Sequence, residues 1–273
     1  MLRTRWCPKR DIITFNFVPS PLTSEGPGAE ITKRKLLSCL AKTYDPMGFL
    51  APWSLKAKII LQKTWIEKIP WDTPLQGELL SDATQFLSEL EGLQEFSLPR
   101  SFLKDSGSKI TELAVCADAS SMAYSAVAYL IIVEPDGTRR SELVFAKTRV
   151  RPLSKKLLKL TESLSICRLE LLALLLGVTV AAFVKSAFDF PLLTRIFSDS
   201  QVTLWRVLGD PLTFRPWVCN RLKQIHRLAD PDMEFYYINT EENVAADQAS
   251  RGVDLVEIQG STSWFHGPDF IRI

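Results

Sequence analysis

Four carboxylates stand at positions where an ionised side chain is unusual and could bind metal. Asp118 follows an apolar strand-like run in AVCADAS, and Asp199 follows another in IFSDSQ. Glu170 is the single acid in the apolar stretch 169–184, where burying a carboxylate is costly unless it is paired or metal-bound. Asp247 starts a short helical segment in NVAADQASR. Carboxylates that converge without His or Cys favour a hard divalent cation, Mg²⁺ or Mn²⁺.

Each acid also has a purely structural interpretation when it is taken alone. Asp118 and Asp199 could cap a turn or a helix. Asp247 could favour a helix start through the helix dipole, and Glu170 could pair with Arg168 at a helix edge. The four acids together fit these separate interpretations less well, because they occur in order on elements that could share one site.

The elements around these acids predict a mixed α/β sheet. Asp118 and Asp199 end strands that would adjoin at the edge where open α/β sheets hold their sites. The residues 135–137 (PDG) predict a hairpin turn between the second and third strands. The apolar and polar patterns predict strands at 112–118, 122–133, 142–150, 193–198 and 234–238, and helices at 161–186, 201–208, 214–228 and 245–250.

The first third of the chain has a different pattern. Residues 1–30 predict an N-terminal remnant and linker with one strand at 12–18. Helical periodicity begins at Thr32 and returns at 55–68 and 77–96. We therefore predict four regions: 1–30, a helical region at 31–109, an α/β domain at 110–252 and a C-terminal tail at 253–273.

The composition excludes several other classes of protein. Of 273 residues, 46% are hydrophobic and 23% are charged, with a net charge of +2, which is ordinary for a globular protein. Five scattered cysteines without a CxxC pair, and only two histidines, argue against zinc modules and a disulfide framework. The apolar run at 169–184 is shorter than the roughly 20 residues that span a bilayer, so we predict a core helix and no membrane.

Basic residues are concentrated in two stretches. Residues 31–69 contain eight Lys or Arg and two acids. The second stretch contains no acid and consists of Lys147, Arg149, Arg151, Lys155, Lys156 and Lys159. This distribution fits a protein that touches a polyanion at two places, or two solvated faces.

The acidic motifs and several longer blocks resemble a known family. CADAS, RLEL, FSDS and ENVAAD, in this order, resemble the ribonuclease H domain of retroelement reverse transcriptases. TKRKLLSCLAKTYDPMGFLAPWSLKAKIILQ at 32–62, RLELLA, ENVAADQASRG and WFHGPDFI at 264–271 resemble the Pao (BEL/Pao) retrotransposon polyprotein family. The likeness runs from about Trp6 to the C-terminus. It implies a ribonuclease H-like mixed five-stranded sheet with flanking helices, preceded by a helical segment akin to thumb and connection.

The resemblance also implies a function. Asp118, Glu170, Asp199 and Asp247 match the family's catalytic, metal-binding carboxylates, which would hold two Mg²⁺ or Mn²⁺ ions, and Asn243 would orient the site. The expected reaction is two-metal hydrolysis of the RNA strand of an RNA/DNA hybrid, with the basic residues at 147–159 binding phosphates.

The family context implies partners and a location. No Y-x-D-D motif occurs, so we expect the polymerase portion elsewhere in the same polyprotein. The expected location is a cytoplasmic retroelement particle, whereas the sequence leaves the oligomeric state open.

Three features keep alternatives open. Many ribonucleases H carry a mobile His before the Asn, but residues 237–242 (YINTEE) contain none, which predicts slower turnover. The chain could also be a non-catalytic, nucleic-acid-binding remnant of a retroelement polyprotein. An aspartic peptidase, which the family's naming also suggests, would need Asp105 in its D-S-G motif; Lys104 before it instead indicates an exposed linker.

Overall fold

The computed structural model describes residues 4–15, 30–103, 106–153 and 164–273. These residues form two compact units. The first unit comprises the chain up to Pro46 together with 52–102 and 252–260, and the second comprises 47–51, 103–251 and 261–273. Neither unit is therefore one continuous stretch of sequence.

The first unit combines a small sheet with helices. The strands β1 (Thr4–Cys7), β2 (Ile12–Phe15) and β3 (Ser97–Pro99) form an antiparallel sheet in that order. The helices are α1 (Lys33–Lys42), α2 (Ala51–Ile66), α3 (Gly77–Ser88) and a late helix, α8 (Leu255–Gly260). The three helices predicted from the periodicity are confirmed with shifted ends. The third ends at Ser88 and is followed by a 3-10 turn at Glu91–Gln94.

Four of the eight cations in the first basic stretch have an acidic or aromatic partner within this unit. Lys56 ion pairs with Glu89 and Asp254, and Lys63 lies 3.3 Å from both Glu78 and Asp82. Two further members of the stretch, Lys33 and Arg34, are also held: the first is buried over the Trp65 ring and the second pairs with Asp72. Arg34 and Asp72 form their pair at the surface, so the choice between a polyanion-binding face and a solvated face stays a prediction.

The second unit is built on the predicted mixed sheet. Its strands are β4 (Lys109–Ala119), β5 (Ala123–Val133), β6 (Arg139–Val150), β7 (Leu193–Ser198) and β8 (Met233–Tyr237). They lie in the order β6-β5-β4-β7-β8, with β4, β5 and β6 antiparallel and β4, β7 and β8 parallel. Gly137, at φ 85°, forms the predicted turn between β5 and β6. The predicted fold class, an α/β structure with a mixed five-stranded sheet and flanking helices, is confirmed.

Helices cover both faces of this sheet. They are α4 (Ile166–Lys185), α5 (Gln201–Leu208), α6 (Pro216–Leu228), α7 (Val244–Arg251) and α9 (Thr262–His266). On one face α4 packs on β4, and Gly177 of α4 lies beside Val115 and Ala117, where an added Cβ would make ordinary van der Waals contacts. Near the end of β4, Ser250 of α7 contacts Asp118.

The helix α4 is the most apolar helix of the second unit. Ten of its residues are buried, and it packs against β4 and β5. By length and composition it is also the one helix, among the residues that the structure describes, that could cross a membrane.

The segment predicted as a C-terminal tail is folded. Besides α8, it forms α9 and a 3-10 turn at Asp269–Arg272. Trp264 is fully buried, and its indole Nε1–H donates to the Phe49 carbonyl at 2.9 Å. The neighbouring Gly48 lies against β6, where a Cβ would overlap the carbonyl oxygen of Ala146. Two of the sequence blocks that carry the family resemblance thus meet in the second unit.

Candidate active site

Three of the predicted acids meet at one edge of the sheet. Asp118 is the last residue but one of β4. Asp199 directly follows β7, the parallel neighbour of β4, and Ser198 of β7 pairs with Ala117 of β4. Glu170 extends from the first turns of α4. One carboxylate oxygen from each acid lies within 4.8 Å of the others. Parallel pairing of two strands and a helix packed across them therefore creates the cluster.

Burial and mutual repulsion make ionisation of this cluster costly. The Asp118 side chain is largely buried, which raises its pKa to about 6; the charges of Asp199 and Asp247 add to the increase, and a hydrogen bond from Ser250 opposes it. Burial likewise raises the pKa of Glu170 to about 9, with further increases from Asp118 and Asp199. At neutral pH without a cation, Glu170 therefore retains its proton.

The donor set fits a hard divalent cation. All three side chains offer carboxylate oxygens, the ligands that Mg²⁺ and Mn²⁺ prefer. Glu170 Oε2 is buried, and no hydrogen-bond partner for it exists among the residues that the structure describes. A cation would supply this missing partner and also relieve the repulsion between the acids.

Asp247 stands apart from the three clustered acids. It lies in α7, and its carboxylate pairs with Arg251 one helical turn later. It is close enough for its charge to raise the pKa of Asp118, although it is not within the 4.8 Å group. The structure therefore brings together three of the four predicted ligands, and the role of Asp247 stays a prediction.

The structural alternative for Glu170 is wrong. No ion pair joins Glu170 to Arg168 in the described part of the chain; the Arg168 guanidinium instead lies 5.3 Å from the Trp217 ring centroid. Arg221 lies over the same ring at 4.1 Å. Two cations and an aromatic ring thus lie beside the start of α4, close in sequence to Glu170.

Asn243 bonds the backbone near the end of β4 and not one of the carboxylates. Its side-chain amide is buried, and Nδ2–H donates to the Ala117 carbonyl at 3.1 Å. Ala117 immediately precedes Asp118, so this bond fixes the backbone that carries the first acid. This position is compatible with the predicted orienting role.

A serine that the sequence pattern does not predict contacts the cluster. Ser250 is fully buried, and its hydroxyl donates to Asp118 Oδ2 at 2.5 Å. The one sequence signal is helical spacing: Asn243, Ala246 and Ser250 share the face of α7 that is buried. A polar residue on that face needs a partner, but the spacing does not say which one.

The second basic stretch is only partly described. Lys147 and Arg149 are exposed and alternate with buried residues along β6, on the face where Phe145 meets Phe183 of α4. Arg151 is half-buried. The other three predicted phosphate-binding residues, Lys155, Lys156 and Lys159, lie outside the described residues.

Comparisons with known proteins identify the family. The family model for the Pao retrotransposon-like RNaseH-like domain matches residues 32–200, a range that contains Asp118, Glu170 and Asp199. No curated protein matches the chain.

Several solved structures are similar in part. A foamy viral protease-reverse transcriptase in complex with double-stranded DNA is 16% identical, with a TM-score of 0.47 over 84% of this chain and 36% of the viral one. A foamy viral protease-reverse transcriptase in complex with an RNA/DNA hybrid is 18% identical, with a TM-score of 0.43 over 78% of this chain and 26% of that one. Ribonuclease H1 from Halobacterium salinarum is 15% identical, with a TM-score of 0.32 over 50% of this chain and 92% of that one. The chain thus spans about a third of the length of the first of these viral proteins.

The strand order and the family match lead to the same assignment. A sheet in which three antiparallel strands precede two parallel ones carries the acids at the ends of β4 and β7. The matched range covers well over half of the chain, including both of these strand ends. The chain belongs to the Pao retrotransposon family and contains its ribonuclease H-like domain.

Proposed function

We propose that this protein is a metal-dependent ribonuclease H that cleaves the RNA strand of RNA/DNA hybrids. One observation carries the proposal: Asp118, Glu170 and Asp199 converge within 4.8 Å, and Glu170 Oε2 is buried without a partner among the described residues. A structural role does not account for such a cluster, because each additional ionised acid there destabilises the fold.

Asp118, Glu170 and Asp199 would hold the cations, and Asp247 would join them after leaving Arg251. When bound, a pair of divalent cations supplies water activation and stabilisation of the leaving oxygen in phosphodiester hydrolysis. Glu170 must release its proton before it can bind a cation, since its pKa is about 9. Asn243 and Ser250 keep β4 and the Asp118 carboxylate in place while the cluster changes its charge.

Basic residues near the site would bind the phosphates of the hybrid. Lys147 and Arg149 are exposed together on β6, and Arg168 and Arg221 flank Trp217 near the start of α4. None of these four cations forms an ion pair with a described residue, so their charge is available to a polyanion. Phosphate contacts of this kind follow the shape of the hybrid backbone rather than its base sequence.

The domain would work with other parts of a retroelement polyprotein. We propose that the polymerase portion of the same polyprotein positions the hybrid, and that both act in a cytoplasmic particle. Co-purification of the two parts, with hybrid binding tighter than that of either alone, would support this arrangement.

The test uses the purified chain and a hybrid labelled separately on each strand. Cleavage is measured with Mn²⁺, with Mg²⁺ and with EDTA, and binding is measured by fluorescence anisotropy. We expect metal-dependent cutting of the RNA strand alone. Asp118→Asn should abolish cutting and leave hybrid binding intact, whereas the control Asp189→Asn, which changes an exposed aspartate, should behave like the parent.

Two outcomes would contradict the proposal. Unchanged cleavage in Asp118→Asn would show that the cluster is not the active site. Tight, salt-sensitive hybrid binding without any cutting would instead favour the non-catalytic remnant.

A further inference from the structure

Polar bonds hold α7 against the sheet. Asn243 donates to the Ala117 carbonyl at 3.1 Å, Ser125 Oγ donates to the Ala246 carbonyl at 2.8 Å, and Ser120 Oγ donates to the Ser250 carbonyl at 2.7 Å. Each of these bonds ends on a backbone oxygen. Their common effect is to fix the helix that carries Asp247.

The bond made by the Ser250 side chain is different, because its acceptor is a candidate metal ligand. Its hydroxyl lies 2.5 Å from Asp118 Oδ2 and 3.1 Å from the Asp247 carbonyl. A hydroxyl has one proton, and the shorter contact to a carboxylate is the stronger bond. Ser250 is fully buried and Asp118 is 5% exposed, so water cannot readily replace either partner.

We propose that Ser250 is a positioning residue that orients the Asp118 carboxylate for cation binding. The inference rests on the proposed function and extends it to a residue outside the acidic set. The hydroxyl fixes one oxygen of Asp118 and so determines where the other oxygen points relative to Glu170 and Asp199. It also connects Asp118 to the helix that carries Asp247, so that β4 and α7 present their acids in a fixed relation.

Should a cation occupy Asp118 Oδ2 itself, the Ser250 hydroxyl has a second acceptor within reach. The Asp247 carbonyl lies one helical turn earlier at 3.1 Å, and a rotation about the Cβ–Oγ bond of the serine would redirect the proton to it. Cation binding would therefore not leave the buried hydroxyl without a partner.

A matched control separates this role from simple helix anchoring. Ser125 is also fully buried, and its hydroxyl holds the same helix, but it bonds the Ala246 carbonyl. Ser125→Ala therefore removes an equivalent anchor of α7 without removing the bond to Asp118. Ser250→Thr keeps the hydroxyl, whereas Ser250→Cys keeps the size of the side chain with a much weaker donor.

The experiment measures Mn²⁺ binding to the full chain by titration calorimetry, with unfolding temperatures in EDTA recorded for every variant. Loss of a residue that orients a metal ligand typically weakens affinity about 10- to 100-fold, so Ser250→Ala should raise the Mn²⁺ dissociation constant by at least about tenfold. Ser250→Cys should act in the same direction, and Ser250→Thr should restore affinity. Ser125→Ala should bind Mn²⁺ like the parent, even if it lowers the unfolding temperature. On a labelled hybrid, Ser250→Ala should lower kcat at limiting Mn²⁺ with little change in KM.

Parent-like Mn²⁺ affinity in Ser250→Ala and Ser250→Cys would overturn the inference, as would an equal loss in Ser125→Ala. Failure of the proposed function has a different signature, since the parent itself would then leave the hybrid uncut or bind no Mn²⁺. In that case, crystal structures of the parent and Ser250→Ala still decide: an unmoved Asp118 carboxylate refutes the positioning role, and a rotated one supports it.

Discussion

Glu170→Gln should make the metal-free protein more stable. Burial and two neighbouring carboxylates raise the pKa of Glu170 from 4.5 to about 9, so the folded protein keeps a proton that the unfolded chain releases. A group with a raised pKa contributes stability that is fully present below pH 4.5 and is lost as the pH rises towards 9. Glutamine has nearly the same size and remains uncharged throughout this range, so the substitution removes this pH-dependent loss of stability.

The magnitude follows from the interval between the unfolded pKa and the working pH. One pKa unit corresponds to about 1.4 kcal/mol, so at pH 7 the parent has lost about 3 kcal/mol relative to its glutamine variant. The two proteins should converge below pH 4.5, where Glu170 is protonated in both the folded and the unfolded state. Saturating Mn²⁺ should reverse the order, because the cation binds the ionised cluster of the parent and stabilises its folded state.

Urea denaturation in EDTA, followed by tryptophan fluorescence at pH 5, 7 and 8.5, measures this difference. Glu241→Gln serves as the control, because it makes the same chemical change at an exposed glutamate. A Glu170→Gln variant less stable than the parent at pH 7 would refute the reasoning. A stability difference that did not change between pH 5 and 8.5 would refute it equally, since it would not arise from titration.

Two further predictions concern the core and the proposed phosphate contacts. Trp264→Ala should lower the free energy of unfolding by about 3–5 kcal/mol, because it empties a fully buried site. Trp205 is 71% exposed, so calorimetry should find almost no loss of stability for Trp205→Ala. The double variant Lys147→Ala with Arg149→Ala should weaken hybrid binding. It should also reduce the steepness of the slope of log K against log salt concentration by about 1–2, measured by anisotropy between 50 and 200 mM salt. Lys109→Ala, at the opposite end of β4 from the acids, should change neither quantity, and an equal effect there would indicate non-specific charge binding.

The sequence predicted those parts of the site that depend on local pattern. Asp118 and Asp199 each follow an apolar run, and strands of that kind end at the same edge when they are parallel neighbours. Glu170 was recognisable because an acid in a continuous apolar helix must have a partner. Predicting these three acids requires only the type of each secondary-structure element and the order of the strands.

The remaining features depend on contacts between residues far apart in sequence. The acceptor of Ser250 lies 132 residues earlier, and no spacing within α7 indicates it. The blocks around Gly48 and Trp264 resembled the family as separate motifs, yet their meeting in the second unit explains them: Gly48 allows close approach to β6, and the Trp264 indole bonds the next carbonyl, that of Phe49. A glycine and a tryptophan in loops carry no periodicity that would predict such packing.

The acidic cluster destabilises the metal-free fold for the same physical reason that it would bind cations. Burial and repulsion between the neighbouring carboxylates raise the pKa of Asp118 and Glu170, which destabilises the metal-free fold at neutral pH. The same repulsion strengthens cation binding, because a cation relieves it on arrival. Metal affinity should therefore rise as the pH increases towards 9 and Glu170 loses its proton, while the stability of the metal-free protein falls over the same range. A purely structural cluster would show only the second trend, so the two pH profiles, measured on one preparation with and without Mn²⁺, distinguish a metal site from a group of acids.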